Sequence, residues 1–303
     1  MNAVLLLLAR IADRWIGEWP ARLHPVVWMG TLARAILKLA PTGNAKQFCF
    51  GLGLACLPAL WGAAAWGVTQ VQLLHGVVGL WLVGGCFAGR MLGDAGLVVA
   101  RAVEAGDLPA ARRGLGSLCS RDPSALSETQ LLASAIESVA ENTSDSLVAP
   151  LFWYAVAGLP GLVAYRMANT LDSMVGYRGK YEWLGKASAR LDDGLNLIPA
   201  RITAALLVLA AALLGEPAGR GARVGWRDAG RTASPNAGWP MATMAGLLGV
   251  CLDKPEVYQL YPEGGPATAA DYRRCWRICR LAMDLWSFAV LVGVALAHPG
   301  FGG

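Results

Sequence analysis

The sequence predicts an all-α, polytopic helical membrane protein with about four to five membrane-embedded helical segments, one of them a broken re-entrant hairpin. Three observations carry this. Only 16% of the 303 residues are charged while 55% are hydrophobic, and mean hydropathy is +0.43; a soluble domain averages about 25% charged. Gln47 to Gly89 contain no Asp, Glu, Lys or Arg, enough chain for two spans of about 20 residues each. A second charge-free run, Leu147 to Tyr165, is cut by Gly158-Leu-Pro-Gly161 into pieces better suited to a re-entrant hairpin than to a clean span.

Taken in order, residues 1–46 form an amphipathic opening segment. Met1–Ala9 is apolar like a signal peptide but lacks a basic leader and a small-residue cleavage site, so it reads as retained. Through Lys46 the segment carries six Lys/Arg against Asp13 and Glu18, which puts it on the cytoplasmic side. Residues 47–89 are a transmembrane hairpin, Phe48–Val68 and Val71–Ala88, turning at Thr69-Gln70. Residues 90–146 read as an extramembrane helical region. There Asp122-Pro123 fits a helix start, Ser127-x-x-Gln130 fits a capping box, and the helix should run to about Asn142. Residues 147–215 hold the embedded segments Leu147–Ala168 and Ile202–Gly215, joined by a polar linker at 169–201. Residues 216–280 are a second basic extramembrane region with a turn at Ser234–Pro240, and 281–303 the last transmembrane helix around Leu285–Ala297. The whole is one integral membrane domain without internal repeats.

Several classes fall away. No basic cluster is long or aromatic enough for nucleic acid. Seven cysteines without a CxxC spacing oppose a disulfide framework or a zinc site, and Cys275 and Cys279 read as core or lipid-facing thiols. His24, His75 and His298 suggest no catalytic constellation. There is no GxxxxGK[ST], GxGxxG after a strand, or HExxH.

The chemistry is carried by polar groups set into apolar surroundings, the default mark of function in a membrane protein. Glu137, Glu141 and Asp145 lie at i, i+4 and i+8, with no Lys or Arg from Asp122 through Tyr165. With Asn142, Thr143 and Ser144 beside them, they favour a bound cation of the Mg²⁺ type. Arg166, Asn169, Asp172 and Ser173 share one helical face, and Arg190, Asp192, Asp193, Asn196 and Arg201 repeat the pattern. Acidic groups with cationic partners suit phosphoryl chemistry.

At these residues the sequence resembles the adenosylcobinamide-phosphate synthase family of cobalamin biosynthesis. The resemblance rests on Asp13…Gly17 with His24-Pro-Val26…Gly30, Ser120-Arg-Asp122 and Glu137-Ser-Val-Ala-Glu-Asn-Thr-Ser-Asp145…Ala149-Pro150. It continues through Tyr165-Arg166…Asn169-Thr-Leu-Asp-Ser-Met-Val-Gly-Tyr177, Ala187–Asp193…Asn196…Pro199-Ala-Arg201 and Ser234-Pro-Asn-Ala-Gly-Trp-Pro240…Met244-Ala-Gly246. Ser146 stands where the family pattern has Gly, a change that matters only if φ there is positive.

The resemblance implies an ATP-dependent amide ligase of the bacterial inner membrane, with its active site on the cytoplasmic side. It would join adenosylcobyric acid to (R)-1-aminopropan-2-ol or its O-phosphate, with ATP as co-substrate and Mg²⁺ as cofactor. The expected roles are metal ligation by Glu137, Glu141, Asp145 and Asp172, and catalysis by Asp192, Asp193, Arg166, Arg190 and Arg201. Substrate binding falls to Asn142, Thr143, Asn169, Tyr177, Asn196, Asn236 and Trp239. Expected partners are these small molecules and membrane lipid, with association to later cobalamin-pathway enzymes left open. The alternatives are a non-catalytic sensor, regulator or corrinoid carrier on the same scaffold, and a transporter, which would carry inverted repeats.

Overall fold

A computed structural model describes residues 2–15, 17–119, 122–176 and 181–297. Ser120, Arg121, Tyr177 and His298 lie outside the described residues. In chain order the helices are α1 (Asn2–Trp15), α2 (Pro25–Leu37), α3 (Asn44–Leu54), α4 (Leu57–Thr69), α5 (Gln72–Gly85), α6 (Gly89–Glu104) and α7 (Leu108–Leu115). There follow α8 (Glu128–Thr143), α9 (Ala149–Val175), α10 (Lys186–Leu213), α11 (Ala218–Asp228), α12 (Gly238–Leu248) and α13 (Ala269–Ala297). The antiparallel pair β1 (Leu252–Lys254) and β2 (Tyr258–Leu260) interrupts them, with Asp253 opposite Gln259.

Among the described residues, five stretches are long and apolar enough to cross a membrane: Asn44–Thr69, Leu74–Glu104, Glu128–Val175, Lys186–Leu213 and Ala269–Ala297. Each contains or overlaps one of the five apolar segments expected from the sequence. The two shortest, Ile202–Gly215 and Leu285–Ala297, gain length from polar flanks that stay helical. The chain divides into two compact units, one of Met1–Ala88, Ala149–Asn196 and Ser287–Gly303, the other of Gly89–Val148 and Leu197–Trp286.

In the first unit the chain turns between Thr69 and Gln72 as expected, and α4 packs on α9. Gly62 lies against Ala164 and the Pro160 carbonyl there. The α9 helix is broken at Ala157 (φ −135°) and Gly158 (φ 62°, ψ −152°), the latter a conformation open essentially to glycine alone. The break doubles the chain back. A Cβ at Gly161 would lie 2.5 Å from the Trp153 carbonyl oxygen, eight residues earlier and about 12 Å away in a straight helix. Trp153 donates to the Leu195 carbonyl and Tyr165 to Asn196, so both limbs reach one turn of α10. His24 caps α2, its Nδ1 accepting from the Val26 N–H.

In the second unit α12 is buried over Gly238 and Pro240–Leu248, at the centre of a core that includes Leu131, Ile136, Leu207, Leu252, Tyr272 and Ile278. Cys275 and Cys279 are buried in it as free thiols, as expected.

Three local expectations are corrected. Asp122-Pro123 does not start a helix. Its carboxylate accepts from the Ser124 N–H in a turn, and α8 begins at Glu128 behind the expected Ser127–Gln130 capping box, ending at Thr143. The linker at 169–201 is largely helical, as α9 runs to Val175 and α10 starts at Lys186, because its polar side chains bond one another instead of breaking the helices. Ser234–Pro240 is a turn only in its first part, with Gly238 opening α12.

Candidate functional site

In the first unit, α9 and α10 bring two of the sequence clusters together. Arg166 donates to Asn169 Oδ1 at 3.2 Å, and Asn169 Nδ2 donates to Asp192 Oδ1 at 3.3 Å. Asn196, one turn further along α10, donates to Asp192 Oδ2 at 3.0 Å. Tyr165, fully buried, donates its hydroxyl to Asn196 Oδ1 at 2.9 Å. Both oxygens of Asp192 are thus held by amides whose own carbonyls are fixed by a guanidinium and a phenol. Each Asn amide is thereby locked with its NH₂ toward the carboxylate.

Asp172 and Asp193 are electrostatic neighbours of Asp192. Asp172 lies against Gly176, where a Cβ would come 2.1 Å from its Oδ1, so the glycine of that motif leaves room for the carboxylate. Arg190 is exposed on α10. Among the described residues no three Asp, Glu, His or Cys side chains gather as a ready metal site.

The Glu137–Asp145 cluster and the Ser234–Pro240 loop lie in the second unit. Glu137 is buried, Glu141 and Asp145 half-buried. The α-helical register runs through Glu137 and Glu141, then gives way to a π turn over Ser144–Val148 that contains Asp145. Such insertions recur at functional sites. Ser146 sits in that turn and is not among the positive-φ residues, so it replaces the family's glycine without strain. Asn142 donates to the Ser138 carbonyl and Thr143 to that of Val139, which bonds both to their own helix. The charge of Glu137 reaches the β1 flank. Burial first, then the charges of Asp253, Glu137 and Glu263, push the Cys251 thiol up.

Arg201 is a clamp. It donates to Asn236 Oδ1 at 2.9 Å and to the carbonyls of Leu197 and Pro235, while its guanidinium lies 5.0 Å from the centre of the Trp239 ring. It holds the Ser234–Trp239 loop to α10.

Three residues carry signals that sequence reasoning left unused or, for Ser144, used only as a neighbour of the carboxylates. Tyr165 is a phenol inside an apolar run and reads as core. Ser144 and Ser188 are buried hydroxyls with no hydrogen-bond partner among the described residues, one beside Asp145 and the other a turn before Asp192. An unsatisfied buried hydroxyl costs about 1–3 kcal/mol, so each suggests a place for a ligand atom. Both lay within the motifs, hidden as small residues.

The chain matches the family described as CobD/Cbib protein over residues 6–280. It is 43% identical over 265 residues to a cobalamin biosynthesis protein CobD of Dehalococcoides mccartyi, covering 85% of this chain and 86% of that one. To a probable cobalamin biosynthesis protein CobD of Methanothermobacter thermautotrophicus it is 40% identical over 300 residues, 97% of this chain and 98% of the relative. A cobalamin biosynthesis protein CbiB of Salmonella typhimurium is 38% identical over 272 residues, with 85% and 84% covered. No solved structure matches.

Proposed function

This chain belongs to the CobD/Cbib protein family, and from that premise we propose that it is an ATP-dependent amide ligase of cobalamin biosynthesis. It joins the free carboxyl of adenosylcobyric acid to the amine of (R)-1-aminopropan-2-ol or its O-phosphate. The observation that supports this best is the bonded chain Arg166–Asn169–Asp192–Asn196–Tyr165, with Asp172 and Asp193 beside it. It holds a carboxylate with neutral amides in a half-dry setting, without an ion pair, which suits a group that receives a proton from an ammonium.

In the proposed reaction a corrinoid carboxylate oxygen takes the γ-phosphoryl group of ATP and ADP leaves. The amine then attacks the acyl carbon and phosphate departs. A deprotonated amine is required, and Asp193 or Asp192 accepts its proton. Arg166 and the exposed Arg190 offer charge to phosphoryl or carboxylate oxygens. Mg²⁺ would neutralise the triphosphate. Hard oxygen donors suited to it occur in each unit: Glu137, Glu141 and Asp145 with the Ser144 hydroxyl in the second, Asp172 with the Ser188 hydroxyl in the first. This cation is usually held by one or two carboxylates plus phosphates, so a three-carboxylate cage is not required.

The test is detergent-purified protein given adenosylcobyric acid, aminopropanol phosphate, ATP and Mg²⁺, with ADP and corrinoid mass followed together. ADP release requiring every component, with a corrinoid product heavier by the condensed amine, is expected. Tight corrinoid binding with no ADP release would favour the carrier reading instead.

A further inference from the structure

Helix α1 lies outside the five stretches long enough to cross a membrane, yet it exposes an apolar stripe. Val4, Leu7, Leu8, Ile11 and Trp15 are 59, 46, 45, 47 and 75% exposed, at the spacing of one helical face. Its opposite face is also apolar, with Leu5, Leu6 and Ala9 buried. A helix apolar on both faces belongs in a core or a bilayer.

The neighbour is α5, part of the candidate span Leu74–Glu104. Leu5 lies against Gly79, and Trp19, beyond the end of α1, lies against Gly84. The two helices therefore run side by side in the same direction. Leu74 and Val77 of α5 are exposed as well, 44 and 66%, which continues the apolar surface from one helix to the other. Side-chain charge is confined to one end of α1, at Arg10, Asp13 and Arg14, with none from Ala3 to Ala9. At that end tryptophans gather. Trp81 donates to the Leu23 carbonyl, Trp28 to that of Arg22, and their rings stand 4.9 Å apart. Tryptophan with arginine marks a membrane–water interface, and the excess of arginine marks its cytoplasmic side.

We infer that α1 is a further membrane-embedded helix, laid along α5 with its outer stripe against lipid acyl chains. Its Trp15 end stands at the cytoplasmic headgroups and its Ala3 end deep in the hydrocarbon. At about 1.5 Å per residue it is about 21 Å long, which fits within a hydrocarbon core of about 30 Å.

The experiment places nitroxides at Val4, Leu8, Ile11 and Trp15, one at a time as Cys in a cysteine-free background in nanodiscs. Oxygen and nickel-chelate accessibility then give depth. Val4 should lie roughly 15 Å deeper than Trp15, all four being open to oxygen and Val4 and Leu8 closed to nickel. Equal, shallow depths would overturn the proposal, since the helix would then lie flat on the surface. Nitroxide pairs broadening one another between copies would overturn it too, by making the occupant a second chain. A second measurement keeps the native cysteines. The fluorescence difference between wild type and Trp15→Phe should be quenched more by lipids brominated near the headgroup than by those brominated mid-chain, and the reverse order would sink the orientation.

Discussion

Two buried aspartates, one in each unit, are held by opposite means. Asp228, fully buried, receives Arg227 through two hydrogen bonds of 2.8 Å, Arg231 at 3.1 Å and the Tyr261 N–H at 2.9 Å. Arg227 also reaches Glu263. Asp192, 9% exposed, receives the amides of Asn169 and Asn196, and its charged neighbours include the carboxylates Asp172 and Asp193. Neutralising a buried carboxylate with guanidinium makes a rivet. Holding one with neutral amides beside other carboxylates leaves it without a counter-charge, at a cost in stability that a folding role would not explain.

The sharpest break of this comparison is Asp192→Asn. Turnover should fall about 10²- to 10⁴-fold, the range for a lost proton-transfer group. The apparent unfolding midpoint should hold or rise, because repulsion from Asp172 and Asp193 is relieved. Thermal unfolding in detergent, run beside the ligase assay, reads both. A variant as unstable as one at Asp228 would make Asp192 structural too.

Asp228→Asn should do the reverse. Removing one partner of a buried ion pair costs about 3–5 kcal/mol. Arg227 and Arg231 remain partly in water, so about 2–3 kcal/mol is expected here. Turnover per folded molecule should not change. Specific activity normalised to the folded fraction checks this.

The pH dependence sharpens it further. Burial works against the charge of Asp228. The hydrogen bonds of Arg227 and Tyr261, with the charges of Arg231 and Arg227, overcome this and hold its carboxyl below the usual range. A lowered folded-state value means the stabilisation is complete above the unfolded value, about 3.9, and is lost as pH falls through the folded one. The stability gap between wild type and Asp228→Asn should therefore stay constant from pH 5 to 8 and close below about pH 4. A gap that widened on acidification would contradict the rivet.

How far this was legible in the sequence follows the same division. Spans could be read because charge-free runs such as Gln47–Gly89 declare themselves. The break in α9 could be read because Gly158 and Pro160 leave the backbone little choice. The helical character of 169–201 could not, since polar residues there looked like a linker until Asn169 was seen to bond Asp192 across 23 positions. Asp145 was expected on the stripe of Glu137 and Glu141, and no local signal announces the π turn that contains it. Arg201 was expected among the catalytic residues. Its bonds to Asn236 and Pro235 show donors already engaged with the loop, a pairing over 34 to 35 positions that spacing alone does not reveal.

The smallest expected effect tests the amide lock itself. Tyr165→Phe deletes one hydroxyl in a fully buried site and leaves the ring that packs there. A single hydrogen bond contributes about 0.5–1.5 kcal/mol net, so kcat should fall about two- to tenfold. Freed from the phenol, Asn196 can turn its amide and present oxygen instead of NH₂ to Asp192, which weakens the hold on that carboxylate. If Tyr165 acted only through packing, the loss would appear in stability and kcat per folded molecule would not change. If it acts through Asn196, kcat drops while the KM for ATP stays constant, and Asn196→Ala added to Tyr165→Phe lowers kcat no further than Asn196→Ala alone. That non-additivity is expected of neighbours sharing one network, and full additivity would separate Tyr165 from the site.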